Sequence, residues 1–196
     1  MFKDYNLKDK DGNTSLISAT INNDIDTVKT LVPLTDCNIK NNSGDNALII
    51  ACLWMMNDIV KILIPYTNCN DKCAGDETPL TISSLMGNIE AVKLLIPYSN
   101  CNTKNHNGET PLMLASLWGS YEIAKELVPN SNCNTQNNNG ATAIMLSCIW
   151  GNIDIVKLLY KFSTPSITDN NYNTVYDYAE KLKHKDIFNF LVEHPA

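Results

Sequence analysis

The sequence predicts an all-α solenoid of about six short repeats, each built from a turn and two helices, and three observations support this prediction. Equivalent residues recur every 32 positions along the chain. Within each copy, apolar residues follow the three- and four-residue spacing that is typical of one helix face. A glycine-containing turn precedes the first helix in five copies, and a proline follows the second helix in four. Helix pairs this short bury their apolar faces by stacking on their neighbours.

The 32-residue period is clearest in a column of large apolar residues, namely Leu16, Leu48, Leu80, Leu112 and Ile144, with Tyr176 as a looser sixth member. Three residues later, every copy has alanine or serine. The predicted repeats span 9–40, 41–72, 73–104, 105–136, 137–168 and 169–196, and we expect them to form a single domain over 9–196. A lead-in, 1–8, precedes them. Its Tyr5-Asn6-Leu7-Lys8 segment matches the tail of a repeat whose helices are missing.

The fourth copy shows how each element is predicted. Asn107-Gly108 indicates a turn, because glycine adopts a positive φ at no steric cost. Thr110-Pro111 is typical of a helix start, and Gly119 is placed to end that helix. A second helix is predicted over Tyr121–Val128. Pro129 is expected to end it, because proline lacks the N–H that a helix interior needs.

The turn and helix motifs resemble those of the ankyrin-repeat family. Gly108-Glu109-Thr110-Pro111-Leu112 is similar to the family's Gly-x-Thr-Pro-Leu motif, and the segment 151–159 (GNIDIVKLL) is similar to its second helix. The resemblance covers residues 5–193, although the period is one residue shorter than usual. It implies a scaffold that binds another protein through a concave face. Met55 departs from the pattern, since it stands where the family has the glycine between the two helices.

Charge argues against nucleic acid and anionic membranes as partners. The net charge is -6, and all fifteen basic residues are lysine. A phosphate-binding surface needs a basic face and usually arginine, and this chain has no arginine. The longest apolar run, Ala47–Met56, is about half the length that spans a bilayer. We therefore predict no nucleic-acid partner and no membrane partner.

The cysteines and histidines do not predict a metal site or a catalytic site. Four of the seven cysteines recur at the 32-residue period: Cys37, Cys69, Cys101 and Cys133. Equivalent positions in stacked helices lie about 8–10 Å apart, which is too far for a disulfide or a shared zinc ion. We interpret these residues as small buried hydrophobes, with metal or disulfide ladders as the alternative. The histidines offer no nucleophile–base pair, so we expect no catalytic residues, no cofactor, no metal and no enzyme activity.

One column of residues predicts a binding surface. In four successive copies the predicted first helix ends at a large apolar residue, namely Trp54, Met86, Trp118 and Trp150. These four include every tryptophan of the chain. We call them the Trp column. By the resemblance they lie on the concave face, flanked by turn tips that carry Asp45, Glu77, His106 and Glu109. Because tryptophan is enriched at binding hot spots, we predict that these eight residues bind the partner. The alternative is that the tryptophans extend the core.

These observations predict a cytoplasmic, non-catalytic scaffold that binds another protein and is monomeric alone. The odd number of cysteines, without an apolar leader, favours a reducing compartment. The alternative function is structural, with the chain acting as a self-assembly or masking module of a larger complex. That alternative follows from the lead-in at Tyr5, which leaves the end of the array without a covering helix pair.

Overall fold

The computed structural model describes residues 4–194, in which every regular element is a helix, as predicted. The helices form six helix-turn-helix pairs: α1 (Ser15–Ile21) and α2 (Ile25–Leu31), α3 (Ala47–Leu53) and α4 (Asn57–Leu63), α5 (Pro79–Leu85) and α6 (Ile89–Leu95), α7 (Pro111–Leu117) and α8 (Tyr121–Leu127), α9 (Ala143–Ile149) and α10 (Ile153–Tyr160), α11 (Val175–Lys181) and α12 (Lys185–Glu193). The first three residues of the predicted lead-in and the last two of the sixth repeat lie outside the described residues.

Each first helix begins at a residue with a short polar side chain. The side chains of Thr14, Asn46, Thr78, Thr110 and Thr174 each accept a hydrogen bond from the backbone N–H three residues later, at 2.9 to 3.4 Å. In two helices the bond is reciprocal, because the side chains of Thr81 and Asp177 accept a hydrogen bond from the backbone N–H of the capping residue and complete a capping box. These bonds satisfy N–H groups that have no partner inside the helix. The polar column two residues before the leucine column therefore caps five of the six first helices, whereas Thr142 makes no capping bond at the start of α9.

The second helices end differently from the prediction. The prolines were expected to end them, yet α8 ends at Leu127, before Pro129. Val128–Asn130 then forms one turn of 3-10 helix that contains the proline. Equivalent 3-10 turns are Val32–Leu34, Ile64–Tyr66 and Ile96–Tyr98. Proline is tolerated in the first turn of a helix, where its missing N–H would have no partner.

The described chain divides into two compact units, the first ending at Asn100 and the second beginning at Cys101. In the first unit α3 packs between α1 and α5, and α4 packs between α2 and α6. The second unit repeats this arrangement, with α9 between α7 and α11, and α10 between α8 and α12. The single domain over 9–196 stays a prediction.

The leucine column forms the core of both units. Leu16, Leu48, Leu80, Leu112 and Ile144 are each at most 1% exposed. The alanine and serine column is buried as well, and small residues there let neighbouring helices approach closely. The second helices contribute Val28, Val60, Val92, Ala124 and Val156, all fully buried. The predicted core is therefore confirmed.

Side-chain ladders join successive repeats. Lys40 Nζ donates to the Lys72 carbonyl oxygen at 2.8 Å, and Asn38 Oδ1 accepts from the Asn68 backbone N–H at 2.8 Å. The lead-in makes the same two bonds. Lys8 Nζ donates to Lys40 O at 2.8 Å, and Asn6 Oδ1 accepts from the Asp36 N–H at 3.0 Å. Lys8 and Asn6 of the lead-in therefore contact the first repeat in the way that Lys40 and Asn38 contact the next one.

The four periodic cysteines are buried, as predicted, and none of them forms a disulfide bond. Burial raises the pKa of each of these thiols above its ordinary value. Burial also raises the pKa of Cys52 and Cys148, the two cysteines of the first helices, to about 12. Cys73 is half-buried and is the most accessible of the seven. Because the thiolate is the reactive form, six of the seven thiols should be inert in the folded protein.

We expect iodoacetamide to modify Cys73 rapidly in the native protein, with the other six cysteines reacting only on unfolding. Mass spectrometry after a timed pulse of labelling measures this directly. A Cys73→Ser variant is the matched control and should show almost no fast labelling. Rapid native-state modification of Cys69 or Cys101 would contradict the buried assignment of the periodic cysteines.

Candidate functional site

The tryptophans of the Trp column lie at the surface. Trp54, Trp118 and Trp150 are each 64% exposed, and Met86 is 44% exposed. The residues before the first two members, Leu53 and Leu85, are less exposed at 38%. The alternative in which the tryptophans extend the core therefore does not describe this structure.

The end of the first helix positions each member of the Trp column. Each is the C-cap residue of its helix, and its backbone N–H bonds to the carbonyl oxygen four residues earlier, at 2.9 to 3.3 Å. The next residue turns the chain with a left-handed φ, as Gly119 does at 70° and Gly151 at 72°. The backbone conformation at each member of the Trp column is therefore set by the helix end before any partner binds. A rigid, preorganised surface loses little conformational entropy when it binds a partner.

Each unit contains two members of the Trp column. Trp118 and Trp150 close α7 and α9, which pack directly on each other in the second unit. Trp54 and Met86 close the neighbouring helices α3 and α5 in the first unit. Neighbouring packed helices lie about 8–10 Å apart, so each unit presents two large apolar side chains at that spacing.

The predicted turn-tip residues form a separate row. His106 is exposed, while Asp45, Glu77 and Glu109 are half-buried. These tips precede the first helix and the Trp column follows it, so about 10 Å of helix separates the two sets. The structure therefore does not gather the eight predicted residues into one cluster.

Two of the turn-tip carboxylates differ in their surroundings. Glu109 Oε2 accepts a hydrogen bond from Asn105 Nδ2 at 3.2 Å, so this side chain contributes to the structure of its own turn. Burial raises the pKa of the Asp45 carboxyl, and the charge of Lys40 opposes that rise.

The acidic residues beside the Trp column were not identified from the sequence. Asp58 and Glu90 line a groove with Trp54 in the first unit. They belong to an acidic column in the first turn of every second helix: Asp26, Asp58, Glu90, Glu122, Asp154 and Asp186. A negative charge at this position stabilises the helix, because it interacts favourably with the positive end of the helix dipole. The recurrence of an acidic residue just after each inter-helix turn was the signal that could have revealed it.

A second exposed apolar column was also missed. Leu34, Tyr66, Tyr98 and Phe162 are each more than half exposed, and we call them the Tyr column. They recur at the 32-residue period after the second helices, but Asn130 interrupts them in the fourth repeat. Because the chain exposes two such columns, exposure alone does not identify the binding surface.

The face of α1 and α2 that does not pack on α3 and α4 is more polar than its equivalent in the second repeat. A cavity of about 850 Å³ opens there, and Ser18, Thr27 and Thr30 are among the residues that line it. The second repeat has isoleucine at each of these three positions. Polar residues on such a face reduce the apolar surface that stacking on another copy would bury.

Within residues 4–194, no group of three or more histidine, cysteine or acidic side chains is arranged to hold a metal ion. None of the helices in this range combines the length and the apolar character needed to cross a membrane.

Comparison with known proteins identifies the fold. A family model for ankyrin repeats matches three times, at residues 1–73, 56–137 and 121–196. Among solved structures, the ankyrin-repeat protein EF0377 is similar with a TM-score of 0.88 and 24% identity, over 92% of this chain and 98% of that one. An ankyrin-repeat domain (ABAYE2397) from Acinetobacter baumannii AYE gives 0.87 and 24%, over 91% and 96%. At this identity the two structures support the fold alone. A search of curated proteins found no match.

Proposed function

The chain belongs to the ankyrin-repeat family, and we propose that it is a non-catalytic scaffold that binds another protein through the Trp column. Ankyrin repeats generally mediate protein–protein interaction. The finer proposal concerns which surface of this chain is used. It places the contact at the ends of the first helices, with the acidic column beside it.

The exposure of the three tryptophans carries this proposal. Each of the three tryptophans is 64% exposed to solvent. Burying apolar surface of this size is energetically favourable. Tryptophan is the residue type most often found at the energetic centre of protein interfaces. An exposed apolar surface with a polar border is also typical of interaction sites. A partner that buries these rings would therefore gain binding free energy from the hydrophobic effect.

The Trp column is favoured over the Tyr column because it is uninterrupted from Trp54 to Trp150. The Tyr column carries Asn130 in the fourth repeat. The Trp column also has an acidic neighbour at the start of each second helix. A partner surface with apolar anchors and basic character would complement both features and the net charge of -6.

The proposal includes a monomeric state and a cytoplasmic location, where the seven cysteines, none of which forms a disulfide, would stay reduced. The structural alternative, self-assembly through the end of the array, is less favoured, because the face of α1 and α2 carries serine and threonine where the second repeat has isoleucine.

Partner capture from cell lysate tests the proposal with two matched triple variants. One replaces Trp54, Trp118 and Trp150 with alanine, and the other replaces Tyr66, Tyr98 and Phe162. Each removes three exposed aromatic rings, so their effects on solubility should be similar. We expect the first variant to lose a partner that the wild type and the second variant retain. Loss of that partner from the second variant alone would overturn the proposal.

A further inference from the structure

The turn between α3 and α4 carries two methionines, Met55 and Met56, where the other five copies have glycine or a polar residue. Met55 has a φ of 57°, a left-handed conformation that costs free energy for a residue with a side chain. Three other copies have glycine at this position, and the remaining two have Asn23 and Lys183, also with a left-handed φ. Met56 is the N-cap of α4 and makes no side-chain capping bond. The second repeat is therefore the one copy that places two apolar side chains in this turn.

The two methionines are not buried in the core, so core packing does not offset the strain at Met55. Met55 is 47% exposed, and Met56 is half-buried. Together with Trp54 they line a groove of about 560 Å³ on the surface of the first unit. Asp58 and Glu90 line the same groove. The departures in sequence thus produce a surface made of one indole ring and two thioethers, bordered by carboxylates.

The groove carries negative charge without a cation among its lining residues. Asn57 Nδ2 donates to Glu90 Oε2 at 2.7 Å, and Asn88 Nδ2 donates to Asn57 Oδ1 at 2.7 Å. This chain of bonds orients the Glu90 carboxylate. The Asp58 carboxylate makes no hydrogen bond or ion pair within residues 4–194, so its oxygens are available to a ligand.

We propose that this groove binds an arginine side chain of the partner protein, an inference that rests on the proposed function. A guanidinium group stacks on an indole ring through its planar face. Its methylene groups would pack on the thioethers of Met55 and Met56. Its N–H groups can donate to two carboxylates at once, which suits Asp58 and Glu90 better than the single ammonium of lysine does. Because this chain has no arginine, a second copy cannot supply the side chain.

The indole N–H signals in a ¹⁵N NMR spectrum test this site directly. The chain has three tryptophans, so single Trp→Phe variants assign each signal. The probe is the tripeptide acetyl-Gly-Arg-Gly-amide, and its matched control replaces arginine with citrulline, which is neutral but nearly isosteric. We expect the arginine peptide to shift the Trp54 signal saturably, with a dissociation constant of about 1–10 mM. The citrulline peptide should bind at least about tenfold more weakly, because it lacks the charge.

Two variants separate the charge from the apolar surface. Asp58→Asn combined with Glu90→Gln should weaken binding of the arginine peptide about tenfold. It should lower the melting temperature by a few degrees, because each carboxylate stabilises the N-terminus of its helix. Met55→Gly should raise the melting temperature, because it relieves the left-handed φ, and weaken the peptide several-fold. Tyr66→Ala removes an exposed apolar side chain of the same unit that does not line the groove, and it should change neither quantity.

The inference is overturned if the Trp54 signal does not move, or if citrulline and arginine shift it equally. It is also overturned if the signal depends on protein concentration without peptide, since the groove would then belong to a second copy. These outcomes leave the proposed function intact, because partner capture by the Trp column is measured separately. Conversely, if the arginine peptide binds at Trp54 but only the Tyr66, Tyr98 and Phe162 triple variant loses the partner, the proposed function is wrong while the arginine site stands.

Discussion

Replacing Leu80 with alanine should lower the free energy of unfolding by about 2–5 kcal/mol. Leu80 is fully buried in α5, in the column that forms the core of both units. Its truncation removes apolar contacts and leaves a cavity that rigid neighbouring helices fill only in part. Equilibrium urea unfolding followed by helical circular dichroism measures the change. Leu112→Ala in the second unit should cost a similar amount, and Leu16→Ala in the terminal repeat should cost less.

Leu85 provides the matched control for Leu80. It lies in the same helix and loses the same atoms on replacement with alanine, but it is 38% exposed. Surface substitutions usually change stability by less than about 1 kcal/mol. Equal and small effects at Leu80 and Leu85 would mean that the leucine column is not the core.

Replacing Trp118 with alanine should weaken partner binding by about 2 kcal/mol or more, which is about 30-fold in affinity. Trp118 is chosen because α7 packs beside α9, so that Trp150 lies about one helix spacing away. The free energy of unfolding should change little, since the residue is 64% exposed. Calorimetric titration of the purified partner, with urea unfolding of the same variant, gives both quantities.

Phe162→Ala serves as the control for Trp118→Ala. It removes an exposed aromatic ring from the same unit, but from the Tyr column. We expect its affinity for the partner to equal that of the wild type. If Trp118→Ala unfolds the protein by several kcal/mol and retains its affinity, the Trp column belongs to the core and the proposed surface is wrong.

The fold was predictable because the signals that determine it are local and occur six times. A threonine or asparagine side chain caps five of the six first helices, and the leucine or isoleucine two residues later faces the core in the first five copies. The helix ends were less predictable. A 3-10 turn at Val128–Asn130 keeps the chain helical past the residue where proline was expected to stop it.

The candidate site was predictable only in part. The sequence identified the Trp column, but a residue at a helix end can pack back on the core or face solvent, and only the tertiary structure decides this. The turn tips were grouped with the Trp column because the family resemblance implies that they flank it on the concave face. The length of α7 separates them, and Glu90 from the next repeat lies beside Trp54 instead. Contacts between repeats of this kind depend on stacking, which one copy read alone does not contain.

Site-specific photo-crosslinking tests the central claim most directly, because it reports which column the partner touches. Benzoylphenylalanine at position 118 places the crosslinker in the Trp column, and at position 162 it places it in the Tyr column of the same unit. Irradiation of each protein with the purified partner is followed by mass spectrometry of the product. The proposed function predicts a crosslink from position 118 and none from position 162. A crosslink from position 162 alone would contradict it.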